Sequence, residues 1–221
     1  MNEFIDIFSG SDPASVSTSV KLILLLTILS LAPGILILMT SFARIIIVLS
    51  FVRSALATQQ MPPNQVLIGL ALFLTFFIMA PTFSEVYEQG LQPLFDEEIT
   101  LEEAYESASA PMKDFMAQHT RQKDLALFLN YTQAEPPETV QDIPLTTLVP
   151  AFAISELKTA FQMGFMIFIP FLIIDMAVAS VLMSMGMMML PPVMISLPFK
   201  ILLFVLVDGW YLITQSLLSG F

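Results

Sequence analysis

Hydrophobic and polar positions alternate in blocks along this chain. Leu22 to Ala43 contains no Asp, Glu, Lys or Arg, and Arg44 then interrupts before "IIIVLSFV". Ser54 to Ser84 is a second uncharged run, broken by "QQMPPNQ". From Thr159 to the end only Asp175, Lys200 and Asp208 are charged, with "MMLPPVM" in the middle. A helix needs about 20 mainly apolar residues to span the hydrocarbon. The blocks therefore predict four hydrophobic helical segments, near 20–52, 64–83, 159–190 and 193–219. Each pair turns at a double proline, Pro62-Pro63 and Pro191-Pro192. Proline lacks an amide donor and disfavours helix in the residue before it, so each pair marks a turn. Two hairpins result, 20–83 with its tip near 59–65 and 151–221 with its tip near 183–192.

A water-seeking stretch, 84–150, separates them. In "TLEEAYESASAPMKDFMAQHTRQKDLALFLN", Thr100 and Glu103 have capping-box spacing. Leu101, Ala104, Tyr105 and Ala108 recur at helical period. Pro111 is expected to end or bend this helix, and a second helix to run to Asn130. "AEPPETVQDIP" reads as a proline-rich connector. The segment 1–19 precedes the first hairpin. It has no basic n-region and no short apolar stretch with a cleavage site, so it reads as mature protein.

Composition agrees with the pattern. The chain has 221 residues, 56% hydrophobic and only 12% charged, against about 25% charged in soluble domains. That places it among integral membrane proteins. The formal net charge of −11 is concentrated: of 19 acidic residues, thirteen lie between Glu85 and Asp142 beside only Lys113, Arg121 and Lys123. Nucleic acid is excluded as a partner, because phosphate binding requires a basic stripe. With no cysteine there is no disulfide framework or thiolate chemistry. The first hairpin loop carries Arg53 and no acid, with Arg44 slightly upstream, while the N-terminus and 84–150 are acid-rich. By the positive-inside rule the first tip faces the cytoplasm; the second, 184–192, carries no charge and follows by threading, which leaves 84–150 and both termini outward.

Prolines 33, 81, 170 and 198 lie inside the apolar segments, as do Arg44, Asp175, Lys200 and Asp208. Buried ionised groups cost several kcal/mol each unless paired. Proline-kinked helices carrying such charges argue for an oligomer whose subunits supply missing partners. Asp175 has two readings of equal weight, a proton-relay carboxylate and a carboxylate paired across a subunit contact. The first would make the chain a proton-coupled secondary transporter. Ser155 and Lys158 match S-x-x-K, but no companion motif follows. Ser155 reads as a helix N-cap instead, and His119 as a solvated residue.

The stretch "MSMGMMMLPP", 183–192, places five methionines in ten positions. They could merely fill a helix end. They could bind Cu(I), which favours thioethers, although Met183, Met185 and Met187 would point about 100° apart per residue on a helix. Or they could form a deformable seal in which several copies bring Met187, Met188 and Met189 to one constriction. Met183 and Met185 would flank it, Gly186 would free the backbone and Pro191-Pro192 would fix the exit. Methionine adapts to changing shapes, and apolar constrictions exclude water and ions.

Three runs, "TSFARIIIVLSFVRSALATQQMPPNQVLIGLALFLTFFIMAP", "SELKTAFQMGFMIFIPFLIIDMAVASVLMSMGMMMLPPVMISLPFK" and "LFVLVDGW", resemble the FliP family of type III secretion export-gate proteins. The resemblance covers nearly the whole chain, with 85–150 matching only loosely. Many members begin with a cleavable signal peptide; this N-terminus has none of its marks. The resemblance implies an all-α polytopic membrane protein of two long hairpins with an extracytoplasmic helical insert. It implies assembly as a pentamer, with FliR and FliQ, into a helical, ring-like core of the flagellar basal body in the inner membrane. Other export-apparatus proteins and exported flagellar subunits would be its partners and cargo. The family's methionine loop maps onto Met187, Met188 and Met189. Glu156 of "SELK" and Lys200 of "PFK" would form an ion pair between subunits. No cofactor, metal or catalytic residue is implied. No Walker-type phosphate loop is present, so the driving energy would come from elsewhere.

Overall fold

The computed structural model describes residues 22–23, 26–27, 30–31, 33–35, 37–58, 60–132, 137–187 and 189–221. The segment 1–19, Gln59 of the first tip and Met188 lie outside the described residues. The chain divides into two compact units, Met1–Ile37 and Leu38–Phe221. In the first, the described residues are helical. They leave Ile23, Leu26 and Leu31 exposed, and the Thr27 hydroxyl donates to the Ile23 carbonyl at 2.8 Å. The first hydrophobic segment, expected as one run from 20, crosses the division.

The second unit is all-helical among the described residues. Its long helices are α1 (Phe42–Ala55), α2 (Asn64–Val86), α3 (Leu101–His119), α4 (Gln122–Thr132), α5 (Leu145–Ser184), α6 (Pro192–Leu206) and α7 (Gly209–Leu218). A π turn (Tyr87–Leu91) and one more α turn (Gln92–Phe95) carry α2 onward. Helix α1 forms because Ile45, Val48, Leu49 and Val52 recur on one face, and that face is buried. It lies against α2 and α5, and α5 also meets α3, α4 and α6. One apolar core joins Val48, Val52, Leu67, Ala160, Phe204 and Leu217. A second joins Met79, Phe115, Met116, Leu148 and Phe152 beneath the acidic segment.

Several boundaries differ from expectation. The apolar helix expected from 159 starts at Leu145, because Ser155 and Glu156 are buried inside it with partners rather than marking its edge. Ser155 is therefore a mid-helix residue and not an N-cap. Pro111 does not end α3; its ring is buried and the helix runs on to His119. The capping box at Thr100 is present, with the Glu103 carboxylate accepting from the Thr100 backbone at 2.7 Å. Leu101 and Tyr105 are exposed, however, and the buried face of α3 is Ala104, Pro111, Phe115 and Met116. Gly90 explains the choice. A Cβ there would lie 2.7 Å from Ala108 Cβ and 3.1 Å from the Ala104 carbonyl, so only small residues fit that crossing.

Asn64–Phe95, of 32 residues, and Leu145–Ser184, of 40, are long and apolar enough to cross a membrane. Helices α6 and α7 meet at 62° across Val207-Asp208 and could form one broken span. At 1.5 Å per residue α5 is about 60 Å long. That is roughly twice the hydrocarbon thickness.

Candidate functional site

Helix α5 ends in a glycine-capped turn that shapes the methionine tip. Gly186 has φ +75°. Its N–H donates to the Met183 carbonyl, and the Met187 N–H donates to the Leu182 carbonyl, both at 3.0 Å. These two bonds are the Schellman pair, which satisfies carbonyls that the helix end would otherwise leave open. Pro191 then precedes α6, and Pro192 is its first residue, where a missing N–H costs nothing. Around this turn most of the described methionines are exposed. Met183 is 65% exposed, Met185 64% and Met189 98%, while Met187 is half-buried.

Two charge clusters hold the helices that carry this tip. In the first, Arg44 of α1 reaches Glu156 of α5. Arg44 Nε donates to Glu156 Oε2 at 2.7 Å, and Nη2 donates to Oε1. The fork geometry of guanidinium suits a carboxylate with both oxygens engaged. Arg44 Nη1 donates to the Gly220 carbonyl at 2.7 Å, and the guanidinium carbon lies 3.7 Å from the Phe221 ring centre. Phe221 in turn stacks on Phe115 and borders His119. A buried cation is thus satisfied by a carboxylate, a carbonyl and a ring face. Next to it, Ser155 donates to Asp124 Oδ2 at 2.6 Å and accepts from the Arg121 backbone N–H at 3.1 Å. Arg121 also bridges to Asp124. The Ser155 hydroxyl, followed by Arg121, holds the Asp124 carboxyl below the usual carboxylate range.

The second cluster joins α5 to α6. Lys200 Nζ, 2% exposed at the side chain, donates to Asp175 Oδ2 at 2.6 Å. Ser196 Oγ donates to Asp175 Oδ1. Ser196 and Lys200 are four residues apart, so both project from one face of α6.

Within the chain, Glu156 and Lys200 are not partners. Arg44 occupies one and Asp175 the other, so a pair between copies would have to exchange both bridges. Asp208, expected as a buried charge, is exposed on the chain. It occupies the bend between α6 and α7 with φ +53°, a conformation Asp tolerates better than most residues. Its carbonyl accepts from Leu212 N–H and starts α7. Ser196, Asp124 and Phe221 are contributors that the sequence alone did not single out. The i, i+4 spacing of Ser196 and Lys200 was an available signal. Nothing local links Arg44 to Phe221.

Taken together, the described residues form an all-helical protein with apolar helices long enough to cross a membrane, whose buried charges are internally paired and whose methionine turn is largely exposed. The sequence signature of the FliP family matches residues 25–217. The chain is 77% identical to the flagellar biosynthetic protein FliP of Bacillus subtilis, over the whole of both chains. It is 54% identical to that of Caulobacter vibrioides, over 98% of this chain and 82% of the other. With that of Borreliella burgdorferi the identity is 49%, over 97% and 85%. The chain belongs to the FliP family.

Proposed function

We propose that this chain is a non-enzymatic, pore-forming subunit of the flagellar type III protein export gate. Several copies, five by family resemblance, would assemble with FliR and FliQ in the inner membrane within the basal body. Unfolded flagellar subunits would pass along their shared axis. Met187, Met188 and Met189 would close that axis between passages, flanked by Met183 and Met185. The acidic helices α3 and α4 would face outward and both tips the cytoplasm.

The observation that carries this reading is the tip itself. A soluble or lipid-facing turn gains nothing from outward thioethers held between a Schellman cap and a proline start. A seal does: soft side chains meet around a changing cargo and still exclude hydrated ions. The exposed apolar faces of α2 and α5, with Phe73, Phe77, Phe165 and Met166 uncovered, supply area for lipid or neighbouring copies. A proton carrier at Asp175 is less well supported, because Lys200 and Ser196 engage both of its oxygens. Asp175→Asn is expected to impair folding or assembly first.

The test is leak. Replacing Met187 to Met189 with glycine in the membrane-embedded complex should raise resting ion flux through vesicles. Vesicles as tight as those with the unaltered chain would remove the sealing role.

A further inference from the structure

We propose that the methionine tip is an oxidation site, and that peroxide-class oxidants open the seal by converting its thioethers to sulfoxides. The opening step rests on the sealing role proposed above; the modification step does not.

The chain contains no cysteine, so thioethers are its only sulfur. Peroxide attack on sulfur follows access, and the fold sorts the methionines by access. Met79 and Met116 are 0% exposed in the core beneath the acidic segment. Met183, Met185 and Met189 are exposed together within seven positions, where α5 ends and passes into its glycine-capped turn. Met166 and Met176 are exposed as well, but midway along the apolar 40-residue α5, where lipid or neighbouring helices would cover them. Met61 at the first tip and Met194 in α6 are also exposed, but each stands apart from the cluster.

The chemistry balances simply. A sulfur lone pair attacks one peroxide oxygen, the O–O bond breaks, and the departing hydroxide takes a proton to leave as water. The thioether is oxidised to a sulfoxide and the peroxide is reduced. A methionine sulfoxide reductase reverses the change, removing the oxygen as water while two thiols become a disulfide. The consequence is specific to this location. A thioether repels water, whereas a sulfoxide oxygen accepts hydrogen bonds from it. A constriction lined by sulfoxides would wet and conduct.

Dilute hydrogen peroxide, applied to the full chain with its partners in membrane vesicles, tests both steps. Mass spectrometry reads oxygen addition at each methionine, and a pH-sensitive dye reads leak. Met183, Met185 and Met189 should oxidise at least about tenfold faster than Met79 and Met116. Leak should rise with tip sulfoxide and fall again after treatment with reductase and dithiothreitol. Tip methionines that react no faster than core ones would overturn the proposal. So would full tip oxidation with unchanged leak. The glycine variant then separates the two ideas. If it leaks while oxidised vesicles do not, only the oxidation switch fails; if it too stays tight, the sealing role fails with it.

Discussion

Gly186, Ala57, Glu97 and Asp208 each sit one residue beyond a helix C-cap with φ between +53° and +75°. Only glycine adopts that conformation without a steric cost of about 1–2 kcal/mol. A Cβ at Gly186 would meet nothing within 4 Å, so Gly186→Ala should cost about 1 kcal/mol through the backbone alone. Ala57→Gly should act in the opposite sense, with a net gain of about 0.5 kcal/mol once glycine's greater freedom in the unfolded chain is subtracted. Thermal unfolding in detergent would show melting temperatures moving in opposite directions. Asp124 gives a pH prediction. Its carboxyl titrates below the ordinary carboxylate value, so its contribution is present above about pH 4 and lost as pH falls through the folded value. Amide protection in α4, corrected for the intrinsic exchange rate at each pH, should therefore fall in acid, and Asp124→Asn should abolish that step.

At the scale of elements, the seam between α1 and α5 depends on Gly164. A Cβ there would lie 2.5 Å from the Phe51 ring, which also meets Phe161 edge-on at 5.4 Å. Gly164→Ala should cost about 1–3 kcal/mol through overpacking. In a Phe51→Ala background the same change should be nearly neutral, and a double-mutant cycle on unfolding free energies measures the difference. This seam also shows which features a linear reading reaches. The Thr100 capping box and the Gly186 turn were legible because each is complete within a few residues. The start of α5 was not, since Ser155, Glu156 and Lys158 look like the polar edge of an apolar run. Ser155 and Glu156 read as interior only once Asp124 and Arg44 are seen beside them, while Lys158 stays exposed. Arg44 and Glu156 are 112 positions apart. With Arg44 and Lys200 as cations and Glu156, Asp175 and Asp208 as acids in or beside the apolar helices, spacing cannot decide which pairs with which. The crossing of the helices decides it. The extension of α2 past Val86 was hidden similarly, because its π turn places Gly90 against α3 and carries the helix into acidic sequence.

Across the whole molecule, the two bridges tie α1 to α5 and α5 to α6. Removing one partner of a buried pair costs about 3–5 kcal/mol, because the remaining charge is stranded. Arg44→Glu should lower the yield of folded protein, and adding Glu156→Arg should restore part of it. A bridge between Glu156 of one copy and Lys200 of another makes a separate prediction. Lys200→Glu should then restore complex formation, read as the mass of the purified assembly, to a Glu156→Lys chain.

The length of α5 has a mechanical consequence. Its early turns are fastened to α4 through Ser155 and to α1 through Glu156, and its far end becomes the methionine turn. Only Pro150 and Pro170 interrupt its hydrogen-bond ladder. A stiff shaft of this kind transmits torque, so a small rotation imposed near Asp124 is delivered to the thioethers at its far end without any intermediate relay.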